Sequence, residues 1–121
     1  SRWFPGGVIA YTGGLKQKLL GIPDELYESK GSVSSEMALA MALGVVDVTG
    51  ADYGVSVTGV AGPTSGKSGL PVGTFYIGFA GPGGHNVTDR IHADTGDRDG
   101  NKRQAAAAVI QLLGEQLKSQ I

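Results

Sequence analysis

Apolar and polar residues recur in different rhythms along these 121 residues, and each rhythm predicts a different kind of element. Within 4–11, a β-branched run after two glycines predicts a strand. Thr12 can then cap a short helix carrying Leu15, Leu19 and Leu20, which Gly21 ends and Pro23 follows. Asp24–Lys30 predicts a further helical turn, acidic at its start, basic at its end and stopped by Gly31, the polarity a helix dipole favours. Ser34 or Ser35 caps a longer helix with Glu36 in its first turn. Met37, Met41, Val45 and Val48 fall on one face of it at three- and four-residue steps, and Gly50 terminates it.

The second half changes rhythm. An apolar run at 53–58 predicts a strand that stops at a hydroxyl and a glycine loop, and a second strand at 74–80 follows the long loop 59–73. Gly81-Pro82-Gly83-Gly84 is a strong turn signal, so 74–80 and 86–92 are expected to pair antiparallel. A last helix begins at about Asp99, with Ala105, Ala108, Val109, Leu112, Leu113 and Leu117 as its apolar face. The order strand, helices, three strands, helix predicts an α/β domain in layers, with a mixed sheet.

Composition narrows the classes. The length suits one hydrophobic core and one domain. Ten basic residues against eleven acidic ones, with no basic stripe, argue against nucleic acid or an anionic membrane as a partner. The absence of cysteine removes disulfides, thiolate nucleophiles and sulfur-ligated metals, and fits a cytoplasmic enzyme. No run approaches the apolar length that spans a bilayer. Residue 1 is not Met, and Ser1-Arg2-Trp3-Phe4 resembles neither a signal peptide nor a helix start, so the chain is expected to begin in mid-domain. Its 21 glycines lie between apolar runs rather than in one tract, which predicts tight loops, not disorder.

A strand followed by a glycine loop is a common way to present backbone amides to a small ligand. Ala61-Gly62-Pro63-Thr64-Ser65-Gly66-Lys67-Ser68 even approaches a phosphate-loop pattern. In a true phosphate loop, however, the Gly-Lys-Ser step opens a helix. Here Gly69 and Pro71 follow and oppose one, so Lys67 reads as a solvated loop charge and a nucleotide triphosphatase as the weakest of three functional readings.

A spaced set of motifs is more specific: Gly6-Gly7-Val8-Ile9-Ala10-Tyr11, Lys16, Leu19-Leu20-Gly21-Ile22, Gly31-Ser32-Val33-Ser34, Gly50-Ala51-Asp52-Tyr53-Gly54, Thr58-Gly59-Val60-Ala61-Gly62-Pro63, Pro71-Val72-Gly73-Thr74 and Gly96-Asp97-Arg98. In this order they resemble the C-terminal domain of the competence- and damage-inducible CinA family over nearly the whole chain. The resemblance implies a three-layer α/β/α sandwich, often dimeric, that hydrolyses the carboxamide of nicotinamide mononucleotide to a carboxylate and ammonia in pyridine nucleotide recycling. It implies no cofactor, and the residues show no metal-ligand spacing either. The family's Glu-Ser-x-Thr-Gly-Gly motif, which supplies a serine nucleophile, does not occur in these residues, so it is expected upstream of Ser1. If it is lost altogether, the alternative is a non-catalytic nucleotide-binding or oligomerisation module. Gly13-Gly14 and Gly100 also depart from the family pattern, each loosening a helix by up to about 1 kcal/mol.

Amide hydrolysis through a serine needs a base, donors for the oxyanion and an acid for the leaving ammonia. Lys16 matches the family's catalytic lysine; without that match it reads as a solvated helix residue like Lys18. A lysine works as a base near neutral pH only when burial or a nearby cation lowers its pKa. Thr58 is the candidate to position the reacting group. Tyr11 either holds the lysine or a phosphate through its hydroxyl or ends a strand in the core. Gly59 and Gly62 permit close backbone approach, and Pro63 stiffens their loop. Arg98 is the candidate phosphate ligand, its guanidinium matching two oxygens, with Asp97 capping the helix beside it. His85 and His92 read as surface residues.

Overall fold

The computed structural model describes residues 3–119. Four helices and three strands follow in the order α1 (Gly13–Leu20), α2 (Asp24–Lys30), α3 (Ser35–Thr49), β1 (Gly54–Gly59), β2 (Thr74–Gly81), β3 (His85–His92) and α4 (Arg98–Ser119). Caps set the helix ends as expected. Thr12 Oγ1 accepts from Leu15 N–H at 3.3 Å, Ser34 Oγ accepts from Met37 N–H at 3.0 Å, and Gly21 and Gly50 close α1 and α3 in left-handed conformations.

The strands lie in the order β1-β2-β3, with Val57 opposite Ile77 and Gly78 opposite Thr88. Strand residues alternate between faces. Phe75, Ile77 and Phe79 pack on Ala105, Val109 and Leu112 of α4. Gly54, Ser56 and Gly78 face α3 instead. Ser56 Oγ donates to the Ala38 carbonyl, and a Cβ on Gly54 or Gly78 would come within 2.5 or 2.6 Å of the carbonyl oxygens of Ala42 and Ala38. α3 thus sits nearly in backbone contact with the sheet, and α1 and α2 complete its layer as Leu20 of α1 and Leu26 and Tyr27 of α2 pack with Ile22 on Met37. The result is the expected α/β arrangement, with helices on both faces of the sheet.

Three details differ from the sequence reading. The segment 4–11 forms no strand. Ile9 is 95% exposed, only Val8 reaches the Leu20–Ile22–Met37 cluster, and a cleft of about 870 Å³ lies between residues 3–8 and β1. Strand propensity is mostly packing on a neighbouring strand, and this segment has none to pair with among the described residues. With no fourth strand, the described strands are antiparallel throughout rather than mixed. In α3 the buried positions are Met37, Ala38, Ala42 and Gly44, while Val48 is exposed. Small residues, not large apolar ones, mark the face where a helix presses on glycines.

Candidate functional site

A cleft of about 630 Å³ opens where β1 ends, between α1, the α2–α3 turn and the loop 59–73. Lys16 enters it from α1 and is 7% exposed. Its Nζ donates to Thr58 Oγ1 at 2.8 Å and to the Ser32 carbonyl at 3.0 Å, while Thr58 Oγ1 donates to that same carbonyl at 2.6 Å. These three groups close a triangle. Burial of the amine lowers its pKa below the ordinary lysine range, because a low-dielectric setting disfavours the charged form.

The glycine loop is held from below. Val60 N–H donates to the Thr74 carbonyl at 2.8 Å and Gly73 N–H to the Val60 carbonyl at 2.7 Å, so the loop leaves and re-enters the sheet at adjacent points. The start of α4 grips its middle. Arg98 Nη1 donates to the Gly62 carbonyl at 2.8 Å, and the buried Asn101 Nδ2 donates to the Ala61 carbonyl at 3.0 Å. Asn101 Oδ1 accepts from Thr95 N–H at 3.0 Å, and Asp97 caps α4 by accepting from Gly100 N–H at 2.6 Å. The Gly62–Pro63 peptide is cis.

Of the residues singled out from sequence, Lys16, Thr58, Tyr11, Gly59, Gly62 and Arg98 all line this cleft. Tyr11 is neither a strand end nor a core aromatic: it is 86% exposed at the rim, because the segment before it is unpaired. Pro63 is exposed and does not form part of the wall. Gly59 owes its lack of a side chain to packing, since a Cβ would come within 2.2 Å of the Phe75 ring. His85 Nε2 bonds Gln116 Oε1 at 2.7 Å and stands edge-on to Phe79, away from the cleft, and His92 is exposed on β3. Lys67 does more than ride a solvated loop, for it lines the cleft. Around it Gly66–Ser68 makes one 3-10 turn ended by Gly69 in a left-handed conformation, not the helix a phosphate loop needs.

The sequence reading missed the Ser32 carbonyl, Tyr27, Lys30 and Asn101. A backbone carbonyl leaves no mark in sequence, whereas an asparagine three residues after a helix start, on the side of Ala105, is a weak sign of a buried polar anchor. Charge also emerges only in three dimensions. Lys16, Lys30, Lys67 and Arg98 line the cleft together, and none of its lining residues is Asp or Glu. Lys30 is paired with Glu36 at 3.4 Å, while Arg98 engages the loop through one of its five N–H donors. The arrangement can hold an anionic ligand beside a desolvated amine. Among the described residues no group of three His, Asp or Glu could hold a metal ion, and no helix is long and apolar enough to cross a membrane.

The model of the CinA C-terminal domain matches residues 1–117. The chain belongs to the CinA C-terminal domain family. It is 38% identical over 116 residues to nicotinamide-nucleotide amidohydrolase PncC of Escherichia coli K12, covering 96% of this chain and 70% of that protein. A CinA-like protein of Anaeromyxobacter sp. strain K is 43% identical over 107 residues, covering 88% of this chain and 26% of its own length. Among solved structures, a CinA superfamily protein of Klebsiella pneumoniae superposes with a TM-score of 0.87 at 29% identity, covering 93% of this chain and 69% of its own.

Proposed function

We propose that this CinA-family domain carries the amine and the nucleotide pocket of a nicotinamide mononucleotide deamidase. The supporting observation is the 2.8 Å contact between the buried Lys16 Nζ and Thr58 Oγ1, set in a cleft that Lys30, Lys67 and Arg98 also line and no carboxylate does. A desolvated lysine gives up its proton more readily and, once neutral, can accept one from an attacking hydroxyl. That hydroxyl belongs to a serine upstream of Ser1, as the family motif implies. It attacks the carboxamide carbon, Lys16 takes its proton, and Thr58 orients the amine. Collapse of the tetrahedral intermediate breaks the C–N bond, the Lys16 proton leaves with ammonia, and water releases nicotinate mononucleotide from the serine ester. Arg98 holds the phosphate, with Gly59 and Gly62 giving the ligand backbone contact and Tyr11 closing the rim. The amidohydrolase name borne by the Escherichia coli relative agrees with this chemistry.

The same reading makes residues 1–121 one domain that continues upstream, acting in the cytoplasm on a pyridine nucleotide and working as a homodimer. Ammonia release from nicotinamide mononucleotide, measured on the 121-residue chain and on a protein extended ahead of Ser1, tests it. The extended protein is expected to release ammonia and the shorter chain only to bind. Binding without release in both would favour a non-catalytic module, in keeping with Lys16 bonds that go to a threonine and a backbone carbonyl. Full activity in the shorter chain would refute an upstream serine.

A further inference from the structure

Gly13 opens α1 three residues before Lys16, and the space its side chain would fill is taken. A Cβ there would come within 2.1 Å of Tyr27 Cε2 and 2.3 Å of its Cζ and hydroxyl oxygen. At Gly14, the next residue, a Cβ would meet nothing within 4 Å. Helix positions three apart share a face, and side chains lean toward the helix N-terminus. The Tyr27 ring therefore lies on the face of α1 that carries Lys16, over the turn toward which the lysine stem is directed.

Tyr27 is fixed at its other end too. Its ring packs on the Leu20–Ile22–Met37 cluster, and its carbonyl accepts from Gly31 N–H at 2.9 Å, closing α2. Ser32 comes next, and its carbonyl is the group that receives both Lys16 and Thr58. One residue thus touches the start of the helix that carries the amine and the end of the helix that delivers its acceptor. Tyr27 also lines the cleft.

We propose that Tyr27 is a positioning residue: its ring, seated on the bare backbone of Gly13, locks α1 against the α2–α3 turn so that Lys16 and the Ser32 carbonyl meet away from water. Gly13, which weakens α1 as a helix former, is the opening that admits the ring. The proposal rests on Lys16 being the working amine, and it assigns Tyr27 no contact with reacting atoms.

The test is the titration of the Lys16 side chain by NMR in the whole chain, with its signal assigned by loss in Lys16→Gln. Gly13→Ala, Gly14→Ala, Tyr27→Phe and Tyr27→Ala are compared with wild type. The other titratable groups lining the cleft are Tyr11, Tyr27, Lys30, Lys67 and Arg98, and the Gly13→Ala and Gly14→Ala pair leaves all of them in place. Gly13→Ala and Tyr27→Ala are expected to move the Lys16 titration upward, toward 10.5, as water reaches the amine. Gly14→Ala and Tyr27→Phe should leave it where wild type has it. If Gly13→Ala does not fold, the contrast between Tyr27→Phe and Tyr27→Ala, or Tyr27→Leu if the alanine variant fails, carries the same decision. Wild-type titration in the variants that displace or remove the ring, or an equal shift in Gly14→Ala, would overturn the proposal. A wild-type Lys16 that titrates like a solvated lysine would instead refute the amine reading, and the proposal with it.

Discussion

Replacing Lys16 by Met removes a buried charge without stranding either of its partners. Thr58 Oγ1 already donates to the Ser32 carbonyl at 2.6 Å, so the hydroxyl and the carbonyl remain bonded to each other when the amine is gone. The ammonium's two bonds, at 2.8 and 3.0 Å, contribute about 1.5–3 kcal/mol each as charge-assisted contacts. Against them stands the dehydration of an ion in the interior, several kcal/mol after relaxation. The two nearly cancel, and methionine keeps an unbranched stem that fills the same channel. The expected result is an unfolding free energy at pH 7 within about 1 kcal/mol of wild type, or above it. Urea denaturation followed by circular dichroism measures this, and its pH dependence supplies a second sign. Because the folded pKa is lowered, the unfolded chain binds more protons between that value and 10.5. Wild-type stability therefore rises with pH across this window and falls as pH drops through the folded value, whereas Lys16→Met should lack that component. A loss of more than about 3 kcal/mol at pH 7, the cost of breaking a needed buried pair, would refute the reasoning. An unchanged pH slope would refute it equally.

Three further outcomes follow from single contacts. Thr74 Oγ1 is buried with no hydrogen-bond partner among the described residues, so Thr74→Val should raise stability by about 1 kcal/mol in the same denaturation assay. Asn101→Ala strands the Ala61 carbonyl and the Thr95 amide; it should cost about 2–4 kcal/mol and weaken nucleotide binding, read by denaturation and calorimetry together. Arg98→Gln removes a guanidinium facing the cleft and its bond to the Gly62 carbonyl; it should weaken binding of nicotinamide mononucleotide about 10- to 100-fold by calorimetry and cost about 1 kcal/mol of stability by denaturation.

Much of this architecture is visible in the residues because its boundaries are local. Thr12, Ser34 and Asp97 announce helix starts by side chains that bond the next turn, and Gly21, Gly31 and Gly50 announce ends, so α1, α2 and α3 are bounded within a residue or so and α4 at its start. The hairpin between β2 and β3 was equally legible from its glycine-proline turn. The strand expected at 4–11 was not, because β-branching reports only a preference that a neighbouring strand must satisfy. The face of α3 is legible only in part: Met37, Met41 and Val45 do pack on the Leu20–Ile22 cluster, but Val48 is exposed and the contact with the sheet falls on small residues. Ala38 and Ala42 are buried because Gly54 and Gly78 let the helix descend onto the sheet, a fact shared between residues far apart in the chain. At the site, the motifs pointed to Lys16 and Thr58, which share a hydrogen bond 42 positions apart. The carbonyl that joins them and the ring that seats on Gly13 carry no local signal, and the asparagine beneath the loop carries only a weak one.

The most direct measurement is ammonia release from nicotinamide mononucleotide by the protein extended ahead of Ser1, comparing wild type with Lys16→Gln while nucleotide binding is followed in parallel. Wild type should form nicotinate mononucleotide and ammonia in equal amounts, and Lys16→Gln should bind the nucleotide and release none. A Lys16→Gln protein that turns over near the wild-type rate would contradict the role given to this amine.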